Sequence, residues 1–199
     1  MIARQFRTTI ARRFAAKKSD VKFDYTDPLS FKKLLTEEEI QVMENANAVF
    51  QAELMPGILE ANRKHKFDKN IYKMLGSNGF LGCTMNEFGG AGLSSVAYGL
   101  INREIERVDS GYRSAFSVQN ALVIYPIYTY ASAEAKQRLL PKLMAGELVG
   151  CFGLTEPDAG SDPSSMKSTA RKRDDGKWVL NGTKTWITNA PIADVFVVW

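Results

Sequence analysis

The sequence predicts an α+β chain, all-α to about residue 146 and β-rich from about residue 148 to Trp199, on three observations. Apolar residues in the first part recur three and four positions apart, as one face of a helix requires. Between Arg113 and Glu134 lie 20 uncharged positions. Ser117, Gln119, Asn120 and Pro126 interrupt them, so they predict a central buried helix rather than a membrane span. From Leu148 onward short apolar runs alternate with turn residues, and Asp174-Asp175-Gly176 is a strong hairpin signal.

The 199 residues suffice for one large or two small domains, with an apolar fraction of 45% that is ordinary for a globular protein. The formal net charge of +4 misleads: residues 1–19 hold six Arg and Lys with no acid, and without them 20 basic residues face 22 acidic ones, a net of −2. The basic pI is therefore no argument for nucleic-acid binding. Ile2, Phe6, Ile10 and Phe14 recur every four positions in an Arg- and Ala-rich, acid-free opening, the pattern of a mitochondrial transit peptide. A plain basic tail is the alternative. Cys83 and Cys151 form no CxxC and read as reduced packing residues, consistent with a matrix protein.

Residues 20–146 form the predicted helical domain. Phe23–Leu29 reads as an extended lead-in, and Thr36 before Glu37, Glu38 and Glu39 as a capping box. Ile40, Met43, Ala46 and Phe50 then give an apolar stripe to about Leu54. Pro56 resets the chain before a short helix through Ile58 to Arg63. His65, the sole histidine, has no neighbour at ligand spacing, so neither a metal nor a catalytic role is assigned to it. Asp68 is the expected cap of the next helix, with Ile71, Met74 and Leu75 inward and Gly79 closing it. Glu87–Gly92 carries a glycine cluster that lacks the Lys-Ser/Thr of a phosphate loop and fits a helix connection. Ser94 or Ser95 caps a long helix with Ala97, Ile101, Ile105 and Val108 inward and Asn102, Arg103 and Glu104 outward. Gly111-Tyr112-Arg113-Ser114 opens the uncharged helix, and Ala133 begins one that ends near Gly146. Arg113 thus sits at the mouth of an apolar helix. A guanidinium there needs an anion, either a ligand or a salt bridge to Glu106 or Asp109.

Residues 147–199 form the predicted β part, joined at Ala145-Gly146-Glu147. Its opening, LVGCFGLTEPDAGSDPSS over 148–165, runs from an apolar strand into a loop of turn formers and small hydroxyls, which could present donors to a polyanion or a ring edge. Strands are expected over Met166–Arg173 and Lys177–Leu180, with a second turn at Asn181-Gly182. In the following TKTWITN, strand alternation places Lys184, Trp186 and Thr188 on one face. Each block alone reads as turn and core; together they could hold a planar polar ring. Asp194–Trp199 begins another apolar strand in mid-course, which suggests a truncated product.

FGLTEPDAGSD followed by NGTKTWITN resembles the paired signatures of the acyl-CoA dehydrogenase flavoproteins, and the resemblance extends from about Phe23 to Trp199. It implies an all-α N-terminal domain followed by an incomplete antiparallel β-barrel-like middle domain, with a C-terminal helical domain to follow. It further implies that FAD is bound by Phe152, Gly153, Leu154, Thr155, Glu156, Pro157, Asp158, Ala159, Gly160 and Ser161. Trp186, Ile187 and Thr188 would line the other side of the flavin, and Ser161 would also touch the acyl-CoA.

Within that family, SSVAYGLINREIERVDSGYRSAFSVQ is similar to the members that act on glutaryl-CoA, and Arg113 with Ser114 would receive the distal carboxylate of that substrate. Glu106 is a weaker candidate for helping. The implied activity is oxidative decarboxylation of glutaryl-CoA to crotonyl-CoA and CO2 in lysine and tryptophan degradation, with reoxidation by electron-transfer flavoprotein, in a mitochondrial homotetramer. The family's catalytic glutamate falls beyond Trp199, so no catalytic residue is assigned and the chain alone is expected to be inactive. A non-decarboxylating acyl-CoA dehydrogenase and a non-catalytic interaction product are the alternatives.

Overall fold

The structure is a computed structural model that describes residues 23–199; the expected leader, residues 1–19, lies outside the described residues. Residues 23–36 belong to a unit of their own. There the expected extended lead-in is a series of turns, because Asp24 accepts a bond from the Thr26 N–H (2.8 Å) and Asp27 accepts from Phe31 and Lys32 (2.8 and 3.0 Å).

The second unit begins with helix α1 (Glu37–Glu53), whose first turn carries three glutamates at the positive end of the helix dipole. Its stripe of Met43, Ala46 and Phe50 is buried against α4 (Ser95–Glu106). Helix α2 (Ile58–Lys64) ends at His65, which adopts a left-handed conformation (φ 50°) as the terminating residue. The lone histidine is thus a helix stop. Helix α3 (Ile71–Ser77) begins two residues later than expected: Asp68 turns its carboxylate to the Asn70 N–H (2.9 Å) and Asn70 stands before the helix. Gly79 closes α3 as expected, with a positive φ.

Ser94 caps α4, accepting from the Ala97 N–H at 3.0 Å, while its own hydroxyl donates to Glu39 on α1. Glu104 departs from expectation. It faces α1 rather than solvent, is 1% exposed, and accepts from Asn47 (2.8 Å), Arg103 and Arg107 (both 3.0 Å). The two arginines keep their heads half in water, so the carboxylate is buried without being left unpaired.

Asp109 caps α5 (Ser110–Ser117), which continues through a π-helical segment (Val118–Ile124) into α6 (Tyr125–Tyr130). The wider turn lies just before Pro126, which has no N–H to give and would crowd the preceding carbonyls of an α-helix. Helix α7 (Ala133–Met144) completes the helical part. Phe50, Tyr72, Leu75, Ile101, Phe116 and Leu143 are fully buried in one core. Each contributes on the order of 1.5–3 kcal/mol by leaving water. Gly146 (φ +70°) turns the chain toward the β part; a Cβ there would lie 1.9 Å from the Tyr72 carbonyl oxygen, so only glycine fits.

Four short strands follow: β1 (Gly150–Gly153), β2 (Thr169–Lys172), β3 (Trp178–Asn181) and β4 (Val195–Val198). The expected hairpin is β2–β3, antiparallel, with Arg173 and Lys177 closing its turn. The other pair corrects the antiparallel expectation: β1 and β4 run parallel, Gly150 beside Val195 and Gly153 beside Val198. The fold is therefore a helical domain followed by a partial sheet, with no closed barrel among the described residues. A second correction concerns TKTWITN, which is not a strand. Trp186 and Asn189 have φ of 58° and 69°, in the left-handed region no strand tolerates, and tertiary bonds on either side hold them there.

Candidate functional site

The two blocks singled out in the sequence lie side by side. The Thr185 N–H donates to the Thr155 carbonyl (2.9 Å), and the Asn189 side-chain amide to the Gly150 carbonyl (3.0 Å). Next to the first of these ties Lys184 reaches in from the second block. Its ammonium donates to the Leu154 carbonyl (2.9 Å) and pairs with Glu156 (2.8 Å), their side chains being 13% and 6% exposed. Glu156 also accepts from the backbone N–H groups of Lys167 (2.7 Å) and Ser168 (3.0 Å). The Lys184 ammonium, aided by these amides, holds the Glu156 carboxyl down to about 2. Three donors on one carboxylate fix the loop after β1 to the segment before β2 and to the second block.

This arrangement separates residues that point inward from those that remain available. Glu156 and Ala159 are buried, joined across a tight turn by reciprocal backbone bonds of 3.0 and 3.2 Å. Gly153 is buried, Phe152 packs its ring against Trp199 (5.7 Å), and Leu154, Thr155 and Ile187 are half-buried. Pro157, Asp158, Gly160, Ser161 and Thr188 are exposed. Trp186, expected on a strand face, stands 93% exposed. The hydroxyls of Thr155, Ser161 and Thr188 make no hydrogen bond to the described chain, and the Thr185 hydroxyl is buried without a partner. An indole held out of the core, beside unpaired hydroxyls and the backbone of a rigid loop, suits a planar heteroaromatic group with polar edges, and a flavin fits that donor set. The glutamate counted among the flavin contacts offers at most its backbone, since its carboxylate is committed inside.

Arg113 lies on α5. Its Nε donates to Glu106 at 2.7 Å and its Nη1 to the Ser117 hydroxyl at 3.3 Å, with the side chain 39% exposed. The break between α4 and α5 brings Glu106 into reach although seven residues separate the pair. Asp109, the other partner considered, instead caps α5 and accepts from Asn62 (3.3 Å). The Ser110 hydroxyl and the Arg113 guanidinium hold the Glu106 carboxyl below the usual carboxylate range. Nη2 of Arg113 makes no bond among the described residues, so its two N–H groups and the second N–H of Nη1 remain for an anion. Ser114 is half-buried, its carbonyl accepting from Ser117 (3.1 Å).

Sequence reasoning passed over Lys184 as an anchor, although its signal was legible: one lysine in the second block and one glutamate in the first. It also passed over Gln119, which is wholly buried between the π segment and β1. Among the described residues no group of His, Cys, Asp and Glu stands close enough to hold a metal ion, and no helix is long and apolar enough to cross a membrane.

Residues 36–147 match the family described as acyl-CoA dehydrogenase, N-terminal domain, and residues 151–199 match the acyl-CoA dehydrogenase middle domain. Among curated proteins the chain is 38% identical over 168 residues to mitochondrial isovaleryl-CoA dehydrogenase of Bos taurus, covering 83% of this chain and 39% of that protein. It is 37% identical over 166 residues to mitochondrial short-chain specific acyl-CoA dehydrogenase of Homo sapiens, covering 83% and 40%. Among solved structures it is similar to a glutaryl-CoA dehydrogenase from Mycobacterium smegmatis in complex with FADH2. The TM-score is 0.83 at 42% identity, over 86% of this chain and 44% of that one. The chain thus spans about two fifths of the length of the curated relatives it matches.

Proposed function

The chain belongs to the acyl-CoA dehydrogenase family, and from that premise we propose that the protein built on it is an FAD-dependent oxidoreductase that converts glutaryl-CoA to crotonyl-CoA and CO2. The family and its FAD- and FADH2-bound structural neighbours support the class of reaction. The observation that carries the choice of substrate is Arg113: a guanidinium at the mouth of an apolar helix that keeps three N–H groups free beside its bonds to Glu106 and Ser117. A dicarboxylic acyl chain supplies the missing anion, and a hydrocarbon tail does not.

In this reading Arg113 binds the distal carboxylate, Ser114 supports it, and Glu106 orients the guanidinium through Nε. Thr155, Ser161 and Thr188 offer hydroxyls to the flavin edge and Trp186 offers its face, while Phe152–Ser161 lay their backbone along it, and Ser161 also touches the acyl-CoA. FAD, when bound, supplies the acceptor for the β-hydride. Lys184 and Glu156 keep the loop rigid so that its donors are placed before the ligand arrives, which reduces the cost of binding. No residue of this chain is assigned the role of general base.

The domain division at 146/147 is supported by the change from helix to strand and by the two family matches. A mitochondrial matrix location, a homotetramer and electron-transfer flavoprotein as electron acceptor complete the proposal; the first is supported by the composition of residues 1–19 and by mitochondrial relatives. Glutaryl-CoA labelled in the distal carboxylate tests it: the purified full-length protein should release labelled CO2 in step with crotonyl-CoA. Oxidation without CO2 would contradict it. That outcome belongs to the second reading, a non-decarboxylating acyl-CoA dehydrogenase, which the Arg113–Glu106 pair favours by giving Arg113 a structural partner.

A further inference from the structure

Where the helical part meets β1, one side chain makes three hydrogen bonds. Gln119 lies in the π segment, wholly buried. Its amide nitrogen donates to the Leu148 carbonyl (2.9 Å) and to the Leu143 carbonyl at the end of α7 (3.2 Å). Its oxygen accepts from the Gly150 N–H (2.9 Å). Both N–H groups and one lone pair are used, and this fixes which way the amide points. Gly150 in turn presents its carbonyl to Asn189, the residue that follows Trp186–Thr188. A Cβ at Gly150 would lie 2.3 Å from Val123 of the same π segment, so the strand rests directly on that helix. The π bulge makes this possible. The Tyr125 N–H bonds to the Asn120 carbonyl five residues back, and the widened turn keeps both Gln119 and Asn120 inside the core. Asn120 uses its place to bind the Gly82 N–H (2.6 Å).

We propose that Gln119 is a positioning residue that fixes the register of the flavin-loop strand against the helix bearing Arg113, and through Gly150 and Asn189 fixes the tryptophan block as well. The inference rests on the flavin-enzyme reading above. An acyl chain anchored at one end by Arg113 reaches the flavin only if the distance between helix and loop is held. Displacements near 1 Å in such geometry cost on the order of a hundredfold in rate. Methionine at 119 keeps the volume and loses all three hydrogen bonds. Glutamate keeps an acceptor for Gly150 but turns its second oxygen toward the Leu143 and Leu148 carbonyls.

The test uses the full-length protein with its flavin. Wild type, Gln119→Met and Gln119→Glu are compared for flavin per chain, and for kcat and KM with glutaryl-CoA and butyryl-CoA. Gln119→Met should keep its flavin and its KM while kcat falls about tenfold or more for whichever acyl-CoA the wild type oxidises faster; Gln119→Glu should fall between the two. A lowered Tm with unchanged kcat, or loss of flavin in proportion to loss of rate, would overturn the inference and leave Gln119 a packing residue. Failure of Gln119→Met to fold passes the decision to Gln119→Glu, and failure of both overturns it. A wild type that oxidises butyryl-CoA and ignores glutaryl-CoA would contradict the substrate reading alone, because the kcat comparison still decides the role of Gln119.

Discussion

Lys184 and Glu156 are 28 residues apart in the chain and 2.8 Å apart in space, and their pairing locks the two sequence blocks of the site into one piece. Neither side chain is placed to touch a ligand. Their part is to remove freedom from the loop proposed to line the flavin.

The Glu156 carboxyl is held at about 2, against an ordinary value of 4.5. A depressed carboxyl contributes stability that is fully present above the unfolded-state value and is lost as pH falls toward the folded one. The difference in Tm between wild type and Glu156→Gln should therefore be constant from pH 7 to about 5 and shrink between about 4.5 and 2. Thermal melts across that range check it. A difference that stays constant down to pH 3 would mean that the carboxylate is not held by Lys184.

Trp186 reverses the usual behaviour of a tryptophan. With 93% of it in solvent, Trp186→Ala should change the stability of the flavin-free protein by less than about 0.5 kcal/mol. Flavin affinity should fall, since aromatic stacking of roughly 0.5–1.5 kcal/mol is lost, about two- to tenfold in Kd. Denaturant unfolding of the apoprotein reads the first and fluorescence titration with FAD the second. Unchanged affinity would remove Trp186 from the flavin site.

Gly146→Ala should cost about 2–4 kcal/mol, because a side chain is disfavoured at that φ and also meets the Tyr72 carbonyl. Denaturant unfolding measures it. A loss under 1 kcal/mol would mean that the joint between helices and sheet relaxes freely.

These residues also mark how far the sequence could be read. Periodicity and caps located the helices, because burial of one face and the first-turn donors are local demands: Ser94, the Phe50 stripe and the Asp174–Gly176 turn appear where those rules place them. What was not legible depends on partners far along the chain. Glu104 reads as an outward residue until Asn47, 57 positions away, and the two arginines are brought to it. TKTWITN alternates like a strand, yet Lys184 is drawn inward by Glu156 and the backbone bends at Trp186 to allow it. The parallel pairing of β1 with β4 has no local signal at all. For the site, the motif pair and Arg113 could be named in advance, with Glu106 or Asp109 as its ion-pair partner, whereas the choice of Glu106 and the Gln119 connection required the fold.

The central claim, that Arg113 selects an acyl chain ending in a carboxylate, is tested most directly by one ratio. In the full-length enzyme, kcat/KM for glutaryl-CoA divided by kcat/KM for butyryl-CoA is measured for wild type and Arg113→Met. A charge-assisted pair of about 1.5–3 kcal/mol is lost for the first substrate only, so the ratio should fall about 10- to 100-fold with butyryl-CoA oxidation largely preserved. Equal losses on both substrates would contradict the account and make Arg113 a structural partner of Glu106.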